Sequence, residues 1–107
     1  MMGLAPETRR LNFDGINRAA ISILPGLLKH WLPDGRRQGR EYFARNPNRS
    51  DRAAGSFAVN LHTGKWSDFA TGDRGGDVVS LAAFLFNLSQ GDAARRLADM
   101  LGVQEHI

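Results

Sequence analysis

Gly39 to Asp77, GREYFARNPNRSDRAAGSFAVNLHTGKWSDFATGDRGGD, is the stretch whose reading decides the fold. Tyr42-Phe43-Ala44 predicts a short first strand, stopped at Asn46-Pro47 because proline brings no N–H to a ladder. Ser56 to Leu61 alternates, with Phe57, Val59 and Leu61 on one face. His62-Thr63-Gly64 reads as a short turn with glycine available for a positive φ, and Lys65 to Phe69 returns as the partner strand. Gly75-Gly76-Asp77 then opens a helix, with Asp77 placed to cap its first turn. The expectation is a small three-stranded antiparallel sheet across residues 40–70.

Helical patterns flank this stretch. Residues 1–13 show no period and are expected to be a loose tail. From Ile16 to Trp31 the apolar residues form one stripe at helical spacing, with Asp14 as the expected N-cap. Pro25-Gly26 interrupts the stripe without shifting its phase, which predicts a kinked helix or two short helices end to end within residues 14–32. Leu32-Pro33-Asp34-Gly35 then turns the chain towards the sheet. Beyond Asp77, VVSLAAFLFNL is apolar almost all round, which predicts a buried helix over 77–88. Ser89 with Asp92 starts a last helix over 90–101, where Asp92 and Arg96 are spaced to pair and Gly102 ends the helix. The whole is an α+β domain spanning residues 14–107, with helices against a small antiparallel sheet.

A chain of 107 residues with 42% hydrophobic and 23% charged content is one domain with a modest core. The net charge of +3 is less informative than its distribution. Residues 36–74 hold eight basic and four acidic groups, whereas residues 75–107 hold two and four. That polarity suits orientation on a polyanion. Twelve of the fourteen basic residues are arginine, the side chain better suited to bidentate phosphate contacts. There is no cysteine, hence no disulfide and no thiolate metal site. The N-terminus lacks the apolar core of a signal peptide, and no apolar run is long enough to cross a bilayer. A cytoplasmic protein without membrane contact is expected.

Little in the chain points to catalysis. His30, His62 and His106 are far apart and sit in no metal or triad pattern, and no serine lies in a nucleophile elbow. Asp68, Asp73 and Asp77 fall in a glycine-rich loop, but their spacing is not that of a calcium loop and each has a plainer use as a turn or cap residue. Gly72 to Asp77 precedes a helix, yet it lacks the Gly-Lys-Ser/Thr ending of a phosphate cradle and carries two carboxylates that repel phosphate. The basic and aromatic residues are more telling. Arg36, Arg37, Arg40, Arg45, Arg49 and Arg52 fall within seventeen residues, with Lys65 and Arg74 further on. Tyr42, Phe43 and Trp66 lie on the adjoining strands; Tyr42 or Phe43, but not both, should face out of a regular strand. Arginines beside stacking aromatics are a recipe for single-stranded nucleic acid, with Tyr42 and Trp66 as the stacking candidates. The plainer reading is that these aromatics are core and the charges a solvated face.

The chain resembles the N-terminal zinc-ribbon domain of bacterial-type DNA primases, in the degenerate form attached to phage and plasmid primase or primase-helicase proteins. The likeness covers roughly Leu27 to Val103. It rests on Asn46-Pro47-Asn48-Arg49, on Gly55-Ser56-Phe57 with its hairpin, on Gly75-Gly76-Asp77-Val78-Val79, and on Ala93-Ala94-Arg95-Arg96-Leu97-Ala98. In the zinc form four ligands occupy the positions that here are Asn46, Arg49, Phe69 and Gly72. Those residues make no conventional zinc ligand set, so no zinc and no other cofactor is expected. Packing must then replace the metal, with Phe69, Phe57, Trp66, Phe84 and the N-terminal helix as the candidate groups.

What the resemblance implies is a non-catalytic domain that binds single-stranded DNA template, tethered to or associated with a primase or helicase domain that carries the chemistry. The chain's end soon after the last helix fits a piece of a longer protein. The alternative is a docking module of a primase or helicase that no longer binds DNA, which an exposed apolar patch would favour. A small metalloenzyme is a third reading and requires a bound metal.

Overall fold

The computed structural model describes residues 10–45 and 56–107. Its element order is α1 (Phe13–Ser22), α2 (Leu24–Trp31), β1 (Arg36–Gln38), β2 (Glu41–Ala44), β3 (Phe57–Asn60), β4 (Trp66–Asp68), β5 (Arg74–Gly75), α3 (Val78–Phe86) and α4 (Gln90–Leu101). The class is α+β, as the sequence pattern predicts. The sheet has five strands in sequential antiparallel order, not the three expected over residues 40–70. The two additional strands are its edges. β1 is Arg-Arg-Gln, exposed at every residue, so no buried stripe announces it. It is held by its ladder to β2 through a tight turn at Gly39, whose φ is +63°. β5 has only two residues, and both belong to a stretch that reads as turn.

Pro25 resolves the N-terminal stripe into two helices. It sits in the first turn of α2, where an N–H has no partner in any case. The cap of α1 is Asn12, not Asp14: Asn12 Oδ1 accepts from the Gly15 N–H at 3.2 Å, and Asp14 lies in the first turn. Asn12 also donates from Nδ2 to the Gln104 carbonyl, and its N–H donates to Glu105. A bridge between Leu11 and His106 continues this contact, so residues 10–12 lie against the C-terminal residues instead of trailing loose. At the sequence's other predicted caps, Asp77 and Ser80 form a reciprocal capping box on α3 and Ser89 caps α4. Gly102 ends α4 with φ +68°. On α4 the ion pair runs from Arg95 to Asp92 at 3.1 Å; the expected Asp92–Arg96 pair is not formed.

Alternation along the strands sends Tyr42, Ala44, Phe57, Val59 and Trp66 to one side, where all five are buried. They meet α3 through an aromatic cluster. The Phe57 and Trp66 rings lie 5.7 Å apart, Trp66 and Phe84 4.7 Å, and Phe57 and Phe84 5.9 Å. The Trp66 indole N–H donates to Ser80 Oγ at 2.9 Å, which satisfies its one polar atom inside the core. Ile16 and Ala20 of α1, Leu24 and Leu28 of α2, Val79 and Ala82 of α3, and Ala93 and Leu97 of α4 complete the interior. Asn17 of α1 accepts from the Val79 N–H at 2.9 Å, fixing α1 against the start of α3.

Two core contacts are set by single residues. A Cβ on Gly75 would stand 2.4 Å from the indole nitrogen of Trp66 and 2.4 Å from Ser80 Oγ. Gly75→Ala is therefore expected to lower unfolding free energy by ~1–3 kcal/mol, the usual cost of overpacking, measured by urea titration. Tyr42 lies over Gly35 and donates its hydroxyl to the Leu32 carbonyl at 2.7 Å, joining the end of α2 to the sheet. Burial, and secondarily the Asp34 carboxylate, raise its pKa above the ordinary 10.0. A phenol whose proton is held more tightly when folded stabilises the fold fully below pH 10.0, and that contribution is lost as pH rises through the folded value. Tyr42→Phe should cost about 1 kcal/mol at neutral pH for the lost hydrogen bond and flatten the fall in stability above pH 10.0.

Candidate nucleic-acid interface

The other side of the sheet is built by the same alternation. Register places Arg36 opposite Phe43, Phe43 opposite Ala58, Ala58 opposite Ser67, and Ser67 opposite Arg74. One row therefore crosses all five strands with an arginine at each end and a half-buried phenylalanine beside the first. At the usual strand spacing of roughly 4.8 Å the two arginines stand about 19 Å apart along the row. Ala58 and Ser67 are small and sit low in the row, Ala58 only 3% exposed and Ser67 half-buried. A groove of about 310 Å³ lies there, between Glu41, Asn60, Lys65, Ser67 and Arg74. Arg36, Lys65 and Arg74 bring three positive charges to this face against Glu41. Among the described residues neither Arg36 nor Arg74 has an ion pair or a side-chain hydrogen bond.

The remaining predicted residues are divided. Arg37 has the opposite parity and bends its Nε to the Gly39 carbonyl at 3.2 Å. Arg40 lies in the β1–β2 turn, exposed. Arg45 follows β2 with its guanidinium 3.5 Å from Asp34, so part of its charge is already compensated. Arg49 and Arg52 lie outside the described residues, as does Asn46.

Both stacking candidates are corrected. Tyr42 and Trp66 are core residues, 7% and 6% exposed, because their parity points them at the helices. The aromatics available to a ligand are Phe43, on the outward parity of β2, and Phe69, just past β4 and 70% exposed. Parity could have selected Phe43 over Tyr42. Phe69 has the opposite parity to Trp66, but it lies past the end of β4, where strand alternation no longer decides which way a side chain faces.

That exposure also overturns the expectation that Phe69 fills the space of a metal ligand. Gly72, the other residue that the resemblance sets at a zinc-ligand position here, is exposed as well, with φ +84°. Neither residue offers a donor, so the residues present do not fit a zinc ion there. Among the described residues no group of three or more His, Cys, Asp or Glu side chains is placed to hold a metal. The three loop aspartates have local partners: Asp68 accepts from the Ala70 N–H, Asp73 from the Thr71 hydroxyl, and Asp77 from the Ser80 N–H. No described helix is long and apolar enough to cross a membrane.

Comparison with known proteins adds no assignment: no protein-family model and no curated protein matches the chain.

The two phenylalanines that the resemblance treats alike thus differ in environment, Phe57 fully buried and Phe69 largely in solvent. Phe57→Ala should cost ~3–5 kcal/mol, as for a large core aromatic. Phe69→Ser should change stability by no more than about 0.5 kcal/mol. Urea unfolding of both variants followed by far-ultraviolet circular dichroism checks the contrast.

Proposed function

We propose that this chain is a template-binding accessory domain of a primase-like replication protein, binding single-stranded DNA across the outer face of its sheet. The observation that carries this reading is the row Arg36–Phe43–Ala58–Ser67–Arg74, with guanidinium groups at its ends that have no ion pair among the described residues and an outward aromatic within it. Phosphates meet Arg36, Lys65 and Arg74, while bases stack on Phe43 and Phe69. Aromatic faces accept any base, so this arrangement binds strands with little sequence preference. The domain resembles a primase zinc ribbon whose metal is replaced by packing of Phe57, Trp66 and Phe84 between sheet and α3. It acts by binding and presents template to a tethered or associated primase or helicase domain that does the chemistry.

Titration of a labelled oligonucleotide at several ionic strengths tests this. Log K should fall with log salt at a slope of about −0.7 for each phosphate neutralised. Arg36→Ala and Arg74→Ala should each make that slope shallower by about 0.7. Phe43→Ala and Phe69→Ala should each cost ~1–3 kcal/mol of binding with the slope unchanged. Binding that ignores salt, or that survives Arg36→Ala with Arg74→Ala at full strength, rules the reading out.

A further inference from the structure

The helical layer carries a second surface that shares no residue with the sheet's outer face. Trp31 at the end of α2, Phe86 at the end of α3 and Met100 of α4 surround a cleft floored by Ala82, Ala93 and Leu97. Trp31 and Phe86 meet edge to face at 5.6 Å, forming one firm wall. Phe86 is 49% and Met100 53% exposed, so the apolar lip opens to solvent. Single exposed apolar residues are ordinary on protein surfaces; two of them beside a half-buried tryptophan around one concavity are not. The floor is low because two of its residues are alanine. The cleft holds about 160 Å³, the scale of one leucine or phenylalanine side chain.

Charge decides what kind of group enters. Arg96 is the one charged residue of the lining. Its neighbour Arg95 pairs with Asp92 at 3.1 Å and Glu105 at 3.8 Å, and Asp99, one helical turn on from Arg96, forms no ion pair with it among the described residues. Arg96 thus has no ion pair among the described residues, and it is an exposed, charged residue lining an apolar cleft. A ligand that buried only grease there would desolvate this cation without compensation, which is unfavourable. A ligand with a carboxylate beside its apolar anchor satisfies both.

We infer that this cleft is a docking site for an acidic amphipathic helix of another protein, which inserts one leucine or phenylalanine against Trp31, Phe86 and Met100 and sets a glutamate or aspartate on Arg96. Methionine at the lip adapts to anchors of different shape. The site is independent of the nucleic-acid reading and can stand or fall without it.

The probe is a fluorescein-labelled synthetic helical peptide with leucine and phenylalanine on one face and glutamate flanking them, followed by anisotropy against the full chain. Two control peptides replace the glutamates by lysine or the anchors by alanine. The acidic peptide should bind, and each control should bind at least about tenfold more weakly, the equivalent of ~1.4 kcal/mol. Met100→Asp, at a half-exposed position, should abolish binding while unfolding and oligonucleotide affinity stay as in the wild type. Arg96→Glu should reverse the charge preference, weakening the glutamate peptide and favouring the lysine peptide. The inference is overturned if no peptide binds, if the glutamate and lysine peptides bind the wild type equally, or if Arg96→Glu leaves the preference unchanged. It is equally overturned if sedimentation shows a concentration-dependent dimer that Met100→Asp dissolves, since the cleft would then be covered by a second copy.

Discussion

The Trp66 indole holds sheet and helices in one arrangement. Its ring packs against Phe57 from the neighbouring strand and Phe84 from α3, and its single N–H reaches Ser80 in the first turn of that helix. Ser80 is also half of the box that caps α3. One side chain thereby links the strand pairing, the helix start and the aromatic core. Gly75 has no Cβ because the indole edge occupies that space. A rotated sheet would leave a buried indole N–H without a partner and open the stack, so the orientation is well determined.

Fixing the inner face fixes the outer one. Side chains alternate with a period of two, so once Tyr42, Val59 and Trp66 face the helices, Phe43, Ala58 and Ser67 must face away. The edge strands add Arg36 and Arg74 to that outward row. A basic face with aromatics and a low centre is thus a by-product of core packing and register. The helical layer meanwhile ends in an apolar cleft lined by Arg96, which has no ion pair among the described residues. The molecule presents two surfaces of different chemistry, one basic with an outward aromatic, the other an apolar cleft lined by one arginine.

The core shows how so small a sheet is held against the helices. Phe69 takes no part, being largely in solvent. Phe57, Trp66 and Phe84 fill the interior between sheet and α3, and Tyr42 secures the far end through the Leu32 carbonyl. α1 closes the other side by accepting the Val79 N–H on Asn17. Hydrogen bonds between residues 10–12 and the C-terminal residues finish the enclosure.

The amino-acid pattern alone determined the helix stripes, the break at Pro25, the caps at Asp77 and Ser89, and the central strands, because each depends on neighbours within a few residues. It also determined that arginine concentrates between residues 36 and 74. Tertiary structure alone decided the edge strands, since Arg36–Gln38 and Arg74–Gly75 bury no stripe and exist by pairing with a partner strand. It decided as well that Trp66 is core and Phe69 is surface. Both are aromatic residues on or beside one short strand, and only the packing of α3 against one side of the sheet distinguishes the face that is buried from the face that is free.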